Sequence, residues 1–451
     1  MGRVDENSQN RTIIRNSTFS VGFKVLFYVI LFLTTPLLMR CLGESKYGVY
    51  ATTLSFISWI YYFDFGIGSG LRNKITESIV QRDFEASHKY VNVAYYIVSF
   101  ISLSAFAIVF IASLFIDFDN LFNAQLSDEN LNIILTIAIF IACINFVLSL
   151  SKNILYGIHK IAFVDGLGII SRLIMLIALW IYSKTGYTLM LAIVLFEGIS
   201  ELIKNMIAFI YLKKKYSYLS PELFKKPDMS YSKGILSFGI QIFIMQISAL
   251  VLNSTDNVII MRLYNSAEVT PYSMGHAFFS VINSFFVAAT GSLWTSYTTA
   301  YTMKDAVYIK KTMKRALLFY LLTLTGIIIA GFIFKPFMRL YLGRELYYQP
   351  GLVLLIGTYY AILIFSHCFS AFVHGISKVK LTTIACAISA VVNIPTSIFF
   401  ATTCGMKING VILGSIISLL ITTPCYIYTA VKEIRKLENE EEKQEADGSE
   451  E

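Results

Sequence analysis

The sequence predicts an all-α integral membrane protein of about twelve transmembrane helices, built as two parallel six-helix halves. Three observations lead there: a composition too apolar for a water-soluble surface, a one-sided distribution of lysine and arginine, and an internal repeat. Of 451 residues, 56% are hydrophobic and 15% charged, and the mean hydropathy is +0.63. Soluble domains carry roughly 25% charged residues, so a globule of this length lacks the charge to cover its surface. A bilayer-spanning helix needs ~20 mostly apolar residues. Such stretches recur at 19–40, 47–67, 91–116, 131–151, 161–183, 188–212, 235–262, 270–294, 316–336, 350–373, 381–402 and 408–430.

The first stretch is too long for the apolar core of a signal peptide and many spans follow it, so it reads as a retained helix. Counting charges between spans, one side collects 26 lysines and arginines and the other 8. The positive-inside rule then places both termini in the cytoplasm. The net charge of +8 is this loop bias and not a nucleic-acid footprint. Residues 1–18 form a cytoplasmic lead-in, 19–212 the first lobe, 213–233 a lysine-rich linker with Pro221 and Pro227, 234–430 the second lobe, and 431–451 an acidic tail. The Glu-rich stretch from Leu437 onward is expected to be disordered. The six cysteines are scattered without a CxxC pair and read as small apolar packing residues. No metal site and no cofactor is expected.

The repeat ties the halves together. Met39-Arg40 recurs 222 positions later as Met261-Arg262, and the same register pairs Tyr50 with Tyr272, Thr76 with Thr298 and Asp83 with Asp305. Gly157-Ile158 recurs 218 positions later as Gly375-Ile376. Six spans separate the copies, so both run in the same direction. Transporters built this way bind substrate between their halves and expose it by rocking.

Several local sequences resemble one family. Leu42-Gly43-Glu44-Ser45-Lys46-Tyr47-Gly48-Val49-Tyr50 and Asp64-Phe65-Gly66-Ile67-Gly68-Ser69-Gly70-Leu71-Arg72-Asn73-Lys74 are similar to the opening spans of polysaccharide-export membrane proteins. Ser254-Thr255-Asp256-Asn257-Val258-Ile259-Ile260, Val269-Thr270-Pro271-Tyr272-Ser273, Asn393-Ile394-Pro395-Thr396-Ser397 and Gly410-Val411-Ile412-Leu413-Gly414 resemble later segments in the same order. Together they resemble the Wzx-type O-antigen flippases of the multidrug/oligosaccharidyl-lipid/polysaccharide exporter superfamily, over about residues 12–435. The resemblance implies a MATE-like pair of bundles around a central cavity. It further implies carriage of an undecaprenyl-diphosphate-linked oligosaccharide across a bacterial inner membrane; with no P-loop in the chain, the drive would come from an H+ or Na+ gradient or from downstream consumption of the product. Membrane lipids, a glycan polymerase and a chain-length regulator would be its surroundings and partners.

Charged residues inside spans cost ~2.5–3.5 kcal/mol each at mid-bilayer, so each needs a reason. Arg172 sits at the middle of the fifth span, where its planar fork suits a phosphate or a sugar carboxylate and equally suits an internal ion pair. Lys24 either enters a cavity or snorkels to the interface. Lys204 shares a helical face with Glu197 and Glu201, and the three either neutralise one another or serve substrate and ion. Gln246, Asn253 and Asn257 form a polar stripe that reads as interhelical glue or as a sugar-binding wall. Asp64 pairs with Arg72 or Lys74, or carries an ion. Asp256 and His276 fall at similar depth and would make a protonatable pair. No nucleophilic constellation and no P-loop appears, which argues against an enzyme and against direct ATP drive. The rival readings are a multidrug exporter of the same superfamily and a membrane glycan polymerase or glycosyltransferase.

Overall fold

The computed structural model describes the chain apart from residues 1–14, 17, 32, 35–36, 39, 43–45, 47–49, 51–52, 54–63, 117–128, 223–225, 265, 343–346 and 448–451. The side chains of 253, 254, 261, 266–268, 270, 342 and 441–447 also lie outside the description. Much of the second predicted span falls among the undescribed residues, and with it most of the Leu42–Tyr50 motif and the acidic loop 117–128.

The helices are α1 (Thr18–Leu31), α2 (Ile67–Val80), α3 (Phe84–Phe115), α4 (Leu131–Leu148), α5 (Leu150–Gly157), α6 (Ile161–Tyr182), α7 (Met190–Lys215), α8 (Ser232–Leu263), α9 (Ser266–Thr302), α10 (Ala306–Leu342), α11 (Leu352–Gly375), α12 (Lys380–Ile398) and α13 (Ile408–Asp447). The described residues contain no strand. Nine helical runs among them are long and apolar enough to cross a membrane. Helix α7 is long enough at 26 residues but fails on composition, because Glu197, Glu201 and Lys204 sit in its middle. Large apolar side chains face outward, as on α3 at Phe100, Leu103, Ile108 and Leu114, which is the pattern expected where lipid is the solvent.

The chain divides into two compact units, one of residues Thr18–Phe243 and one of Met1–Ser17 with Ile244–Glu451. The boundary falls inside α8. In the amino-terminal unit, Ile67, Leu71 and Ile75 of α2 are fully buried against Val91, Ala94 and Val98 of α3 and Ile154 of α5. A second core joins Leu131, Ile134 and Leu135 to Met175, Leu179, Met190 and Ile193. Glu129 caps α7, accepting from the N–H groups of Met190 (2.8 Å) and Leu191 (2.9 Å) while Lys46 neutralises it at 3.2 Å. An anion is favoured there because the first amides of a helix lack intrahelical partners.

The turn into α2 depends on two glycines. Gly66 has φ +67°, and a Cβ there would lie 2.1 Å from the carbonyl oxygen of Gly239 on α8; a Cβ at Gly239 would in turn meet Phe65 O at 2.7 Å. Neither backbone could approach the other with side chains present.

The sequence repeat reappears as repeated local geometry. Thr76 Oγ1 donates to Gly157 O at 2.9 Å in one unit, and Thr298 Oγ1 donates to Gly375 O at 2.8 Å in the other. Asp83 caps α3 through Ala86 N (2.9 Å), and Asp305 caps α10 through Tyr308 N (2.8 Å). The residues before these caps, Arg82 and Lys304, both turn the chain at φ 59°. His159 (φ 60°) and Ser377 (φ 58°), 218 positions apart, match in the same way.

Two expectations need correction. Several helices exceed their predicted spans: α9 and α10 each run 37 residues, about 55 Å at 1.5 Å per residue, well beyond a ~30 Å hydrocarbon core. Apolarity marks where a helix leaves lipid, not where its hydrogen bonding ends. The stretch from Leu437, expected to be disordered, is instead helical through Asp447 as the end of α13. Its Glu, Lys and Ala content favours helix, and its acids find partners on the α9–α10 hairpin. Lys310 pairs with Glu438, Lys304 with Glu440 at 3.4 Å, and Tyr301 Oη donates to Glu433 at 2.9 Å.

Candidate functional site

Two polar constellations stand out, one within each unit. In the amino-terminal unit, α6 and α7 face each other with four charges. Arg172, twelfth of the 22 residues of α6, donates to Glu197 at 2.7 Å and comes within 3.9 Å of Glu201. Lys204 pairs with Glu201, and Ser171 Oγ also donates to Glu201 at 3.0 Å. The Arg172 guanidinium lies 5.8 Å from the ring centre of Phe27, and Lys24 approaches the same ring at 5.4 Å. Charges Arg172, Glu197, Glu201 and Lys204 therefore sum to zero within one network. Lys24 makes no ion pair among the described residues.

A further cation joins this unit. Lys152, read from the sequence as a loop residue, lies on α5, exposed and 5.7 Å from the ring centre of Tyr156, with no carboxylate within 4 Å among the described residues. Arg72 approaches Tyr156 as well, at 5.4 Å. Tyr156 Oη donates to Asp165 at 3.2 Å, and Asp165 also accepts from Ser20. Sequence reasoning missed Lys152 because the apolar run ends at residue 151 while the helix continues to Gly157. Asp64 does not pair with Lys74: its carboxylate folds back onto Gly66 N at 2.7 Å, and Lys74 pairs with Glu77 at 2.6 Å.

In the carboxy-terminal unit, α8, α9 and α11 line a partly open cavity of about 230 Å³. Asp256, 4% exposed, accepts on Oδ2 from Tyr272 Oη at 2.5 Å and from Ser415 Oγ at 2.7 Å. Ser415 in turn accepts from Asn393 Nδ2 at 3.0 Å. Asn257 Oδ1 accepts from Ser273 Oγ at 3.1 Å. His276 lines the same cavity among Tyr272, Tyr359 and Tyr360, with ring centres 4.6, 5.4 and 5.6 Å away. Asp256 and His276 thus share a cavity, as their spacing suggested, but they are not hydrogen-bonded to each other: the carboxylate is taken by hydroxyls. Gln246 also lies on α8, its Oε1 buried and without a partner among the described residues. Asn253 is on the same helix, and its side chain lies outside the described residues. The tyrosines at 272, 359 and 360 went unremarked in the sequence because aromatic residues on apolar helices are ordinary packing elements there. The six cysteines are free.

Helix order, the repeated geometry and membrane-spanning lengths define a multi-pass membrane protein of transporter fold. Solved structures agree. A MATE structure in the bent conformation superposes with a TM-score of 0.77 at 14% identity, covering 97% of this chain and 99% of that one. A MOP superfamily transporter from Pyrococcus furiosus gives 0.73 at 14% identity, over 95% and 97%. At such identities the likeness concerns the fold alone. The sequence goes further: residues 13–301, more than half the chain, match the polysaccharide biosynthesis protein family, and the chain belongs to it. Residues 242–399 also match the MatE family. Among relatives, a Salmonella typhimurium protein named "Putative O-antigen transporter" is 25% identical over 85% of this chain and 88% of its own length. A Yersinia pseudotuberculosis protein named "Putative O-antigen export protein" is 22% identical over 90% and 92%.

Proposed function

We propose that this chain is a flippase that moves an undecaprenyl-diphosphate-linked oligosaccharide across the bacterial inner membrane for surface-glycan synthesis. It is a transporter rather than an enzyme, working by alternating access with both termini in the cytoplasm. The observation that carries the reading is that Lys24 and Lys152 make no ion pair among the described residues, in a unit where Arg172, Glu197, Glu201 and Lys204 pair with one another. A lipid-linked diphosphate is the anion that such cations would meet, its polyprenyl tail staying in lipid while the head group crosses. Family membership and the O-antigen names of the relatives support the same substrate class.

An H+ or Na+ gradient would supply the drive, and Glu197 and Glu201 are the groups we assign to it. A proton on Glu201 releases Lys204, and one on Glu197 releases Arg172; each event frees a cation for the head group. Cation uptake and anion binding are thereby linked through the same side chains. Within this network neither acid is open to a cationic drug, because Glu197 holds Arg172 and Glu201 holds Lys204; the multidrug reading is separated by substrate, since a flippase answers to lipid-linked sugar and not to cationic dyes. Deleting the gene should leave undecaprenyl-linked repeat units on the cytoplasmic leaflet. Normal surface glycan in a deletion strain without a second flippase would refute the reading.

A further inference from the structure

The cavity of the carboxy-terminal unit has chemistry that capture of a diphosphate does not use. Two polar atoms on its lining are buried and unpartnered among the described residues: Asp256 Oδ1, an acceptor, and His276 Nε2, an acceptor or donor by tautomer. Leaving such groups unsatisfied costs ~1–3 kcal/mol each unless a ligand or solvent meets them. Asp256 is not loose, since Tyr272 and Ser415 fix Oδ2 and thereby direct Oδ1. Asn257 commits its oxygen to Ser273 and keeps its amide donors. The remaining wall is aromatic, with Tyr359 and Tyr360 set edge to face at 5.2 Å.

Size and chemistry select among occupants. A volume of about 230 Å³ is many times the ~10–15 Å³ that a single water needs on the same measure. That is too roomy for a bare metal ion, which needs its oxygens crowded around it. An apolar drug would fill the space but leave Asp256 Oδ1 unpaired. A diphosphate would bring its charge against the carboxylate. One pyranose ring meets every demand: its C–H faces pack on tyrosine rings, and its hydroxyls donate to Asp256 and His276 and accept from Asn257. The lining reaches the surface at exposed Ala277, so the ring can remain joined to the rest of a glycan.

We propose that this cavity is a saccharide subsite, holding one sugar ring of the transported glycan between Tyr359, Tyr360, Asp256 and His276 and so setting which glycan is carried. The proposal rests on the flippase reading and deepens it. The subsite recognises sugar, and the amino-terminal cations recognise the anionic head group.

The test uses the full-length protein in lipid nanodiscs and two probes: the lipid-free repeat-unit oligosaccharide released from the host's own surface glycan, and farnesyl diphosphate. Saturation-transfer NMR reads oligosaccharide contact, and competition against a labelled prenyl diphosphate reads head-group binding. His276→Ala and Asp256→Asn should each weaken oligosaccharide binding at least tenfold and leave farnesyl diphosphate binding within twofold. Tyr359→Leu, which keeps apolar volume but loses the ring, should give the same split. Oligosaccharide binding unchanged in all three variants, with farnesyl diphosphate still bound, would overturn the subsite and leave the flippase reading standing. Binding of neither probe by the parent protein would remove both. Protection of the cavity by Na+ and not by oligosaccharide would assign the site to the coupling ion and overturn the sugar assignment.

Discussion

Removing the arginine at the centre of α6 should damage the protein through Glu197, and the size of the effect follows from the geometry. The guanidinium lies 2.7 Å from Glu197, whose side chain is 16% exposed, while Glu201 keeps Lys204 whatever happens to Arg172. Arg172→Met therefore strands one carboxylate, not two. Breaking a fully buried pair costs ~3–5 kcal/mol because the remaining charge is left without compensation. Arg172 is 32% exposed, so solvent screens part of that loss, and about 2 kcal/mol is the expected penalty, roughly 30-fold in the folded ratio. The double variant Arg172→Met with Glu197→Gln should recover most of it, since replacing both partners by neutral groups of similar volume is often nearly neutral. Detergent-solubilised protein, heated in steps and measured by fluorescence-detected size exclusion, reports the order of stabilities. Arg172→Met as abundant and heat-resistant as the parent, or a double variant worse than the single one, would refute the argument.

Gly66→Ala should abolish accumulation in the membrane: its Cβ would fall 2.1 Å from Gly239 O at a φ of +67°, and immunoblotting of membranes against Gly22→Ala, where a Cβ meets nothing within 4 Å, checks it. Lys310→Glu should loosen the carboxy-terminal helix by setting like charges at Glu438, making the chain more sensitive to limited proteolysis near Lys436; the reversed pair Lys310→Glu with Glu438→Lys should restore resistance, and equal proteolysis of all three would remove the contact from the account. Reporter fusions at Lys214 and Asn123 should report opposite sides of the membrane, the lysine on the cytoplasmic side; both on one side would sink the orientation drawn from the 26-to-8 basic bias.

The fold was legible because lipid imposes a one-dimensional code. Each helix must satisfy its own backbone and be apolar for about its crossing length, so runs such as Ile161–Tyr182 announce themselves. The repeat was legible because its identities fall where backbone geometry is demanding, as at Gly157 and Gly375. A Cβ there would lie 2.9 and 2.8 Å from the carbonyl oxygens of Arg72 and Trp294. What was not legible has equally physical causes. Hydropathy cannot tell a helix that has left lipid from a helix that has ended, which hid the placement of Lys152 and the helical tail. Helical spacing brought Glu197, Glu201 and Lys204 onto one face, but Arg172 joins them from another helix. A cavity wall of tyrosines has the same sequence signature as a packed core, so Tyr359 and Tyr360 gave no sign.

The repeat also explains why the two units treat their acids differently. Glu197 and Ser415 stand 218 positions apart, as do Ser200 and Ser418, while Thr34 and Asp256, like Tyr50 and Tyr272, stand 222 apart. Each unit thus has a carboxylate near the corresponding pair of helices, but on opposite members of that pair. In the amino-terminal unit the acid is on the later helix and is met by Arg172; in the carboxy-terminal unit it is on the earlier helix and is met by the hydroxyls of Tyr272 and Ser415. A guanidinium can occupy both oxygens of a carboxylate and cancels its charge. Two hydroxyls converging on one oxygen leave the second oxygen available and the charge in place. The same repeated framework therefore carries a closed ionic network in one unit, which answers to a proton or a competing anion, and an open acceptor in the other, which answers to a donor such as a sugar hydroxyl. If that division holds, Ser415→Arg should silence oligosaccharide binding by closing the second site as Arg172 closes the first. Farnesyl diphosphate binding should survive. Retained oligosaccharide binding in a stably inserted Ser415→Arg protein would show that the open oxygen of Asp256 is not what the glycan uses.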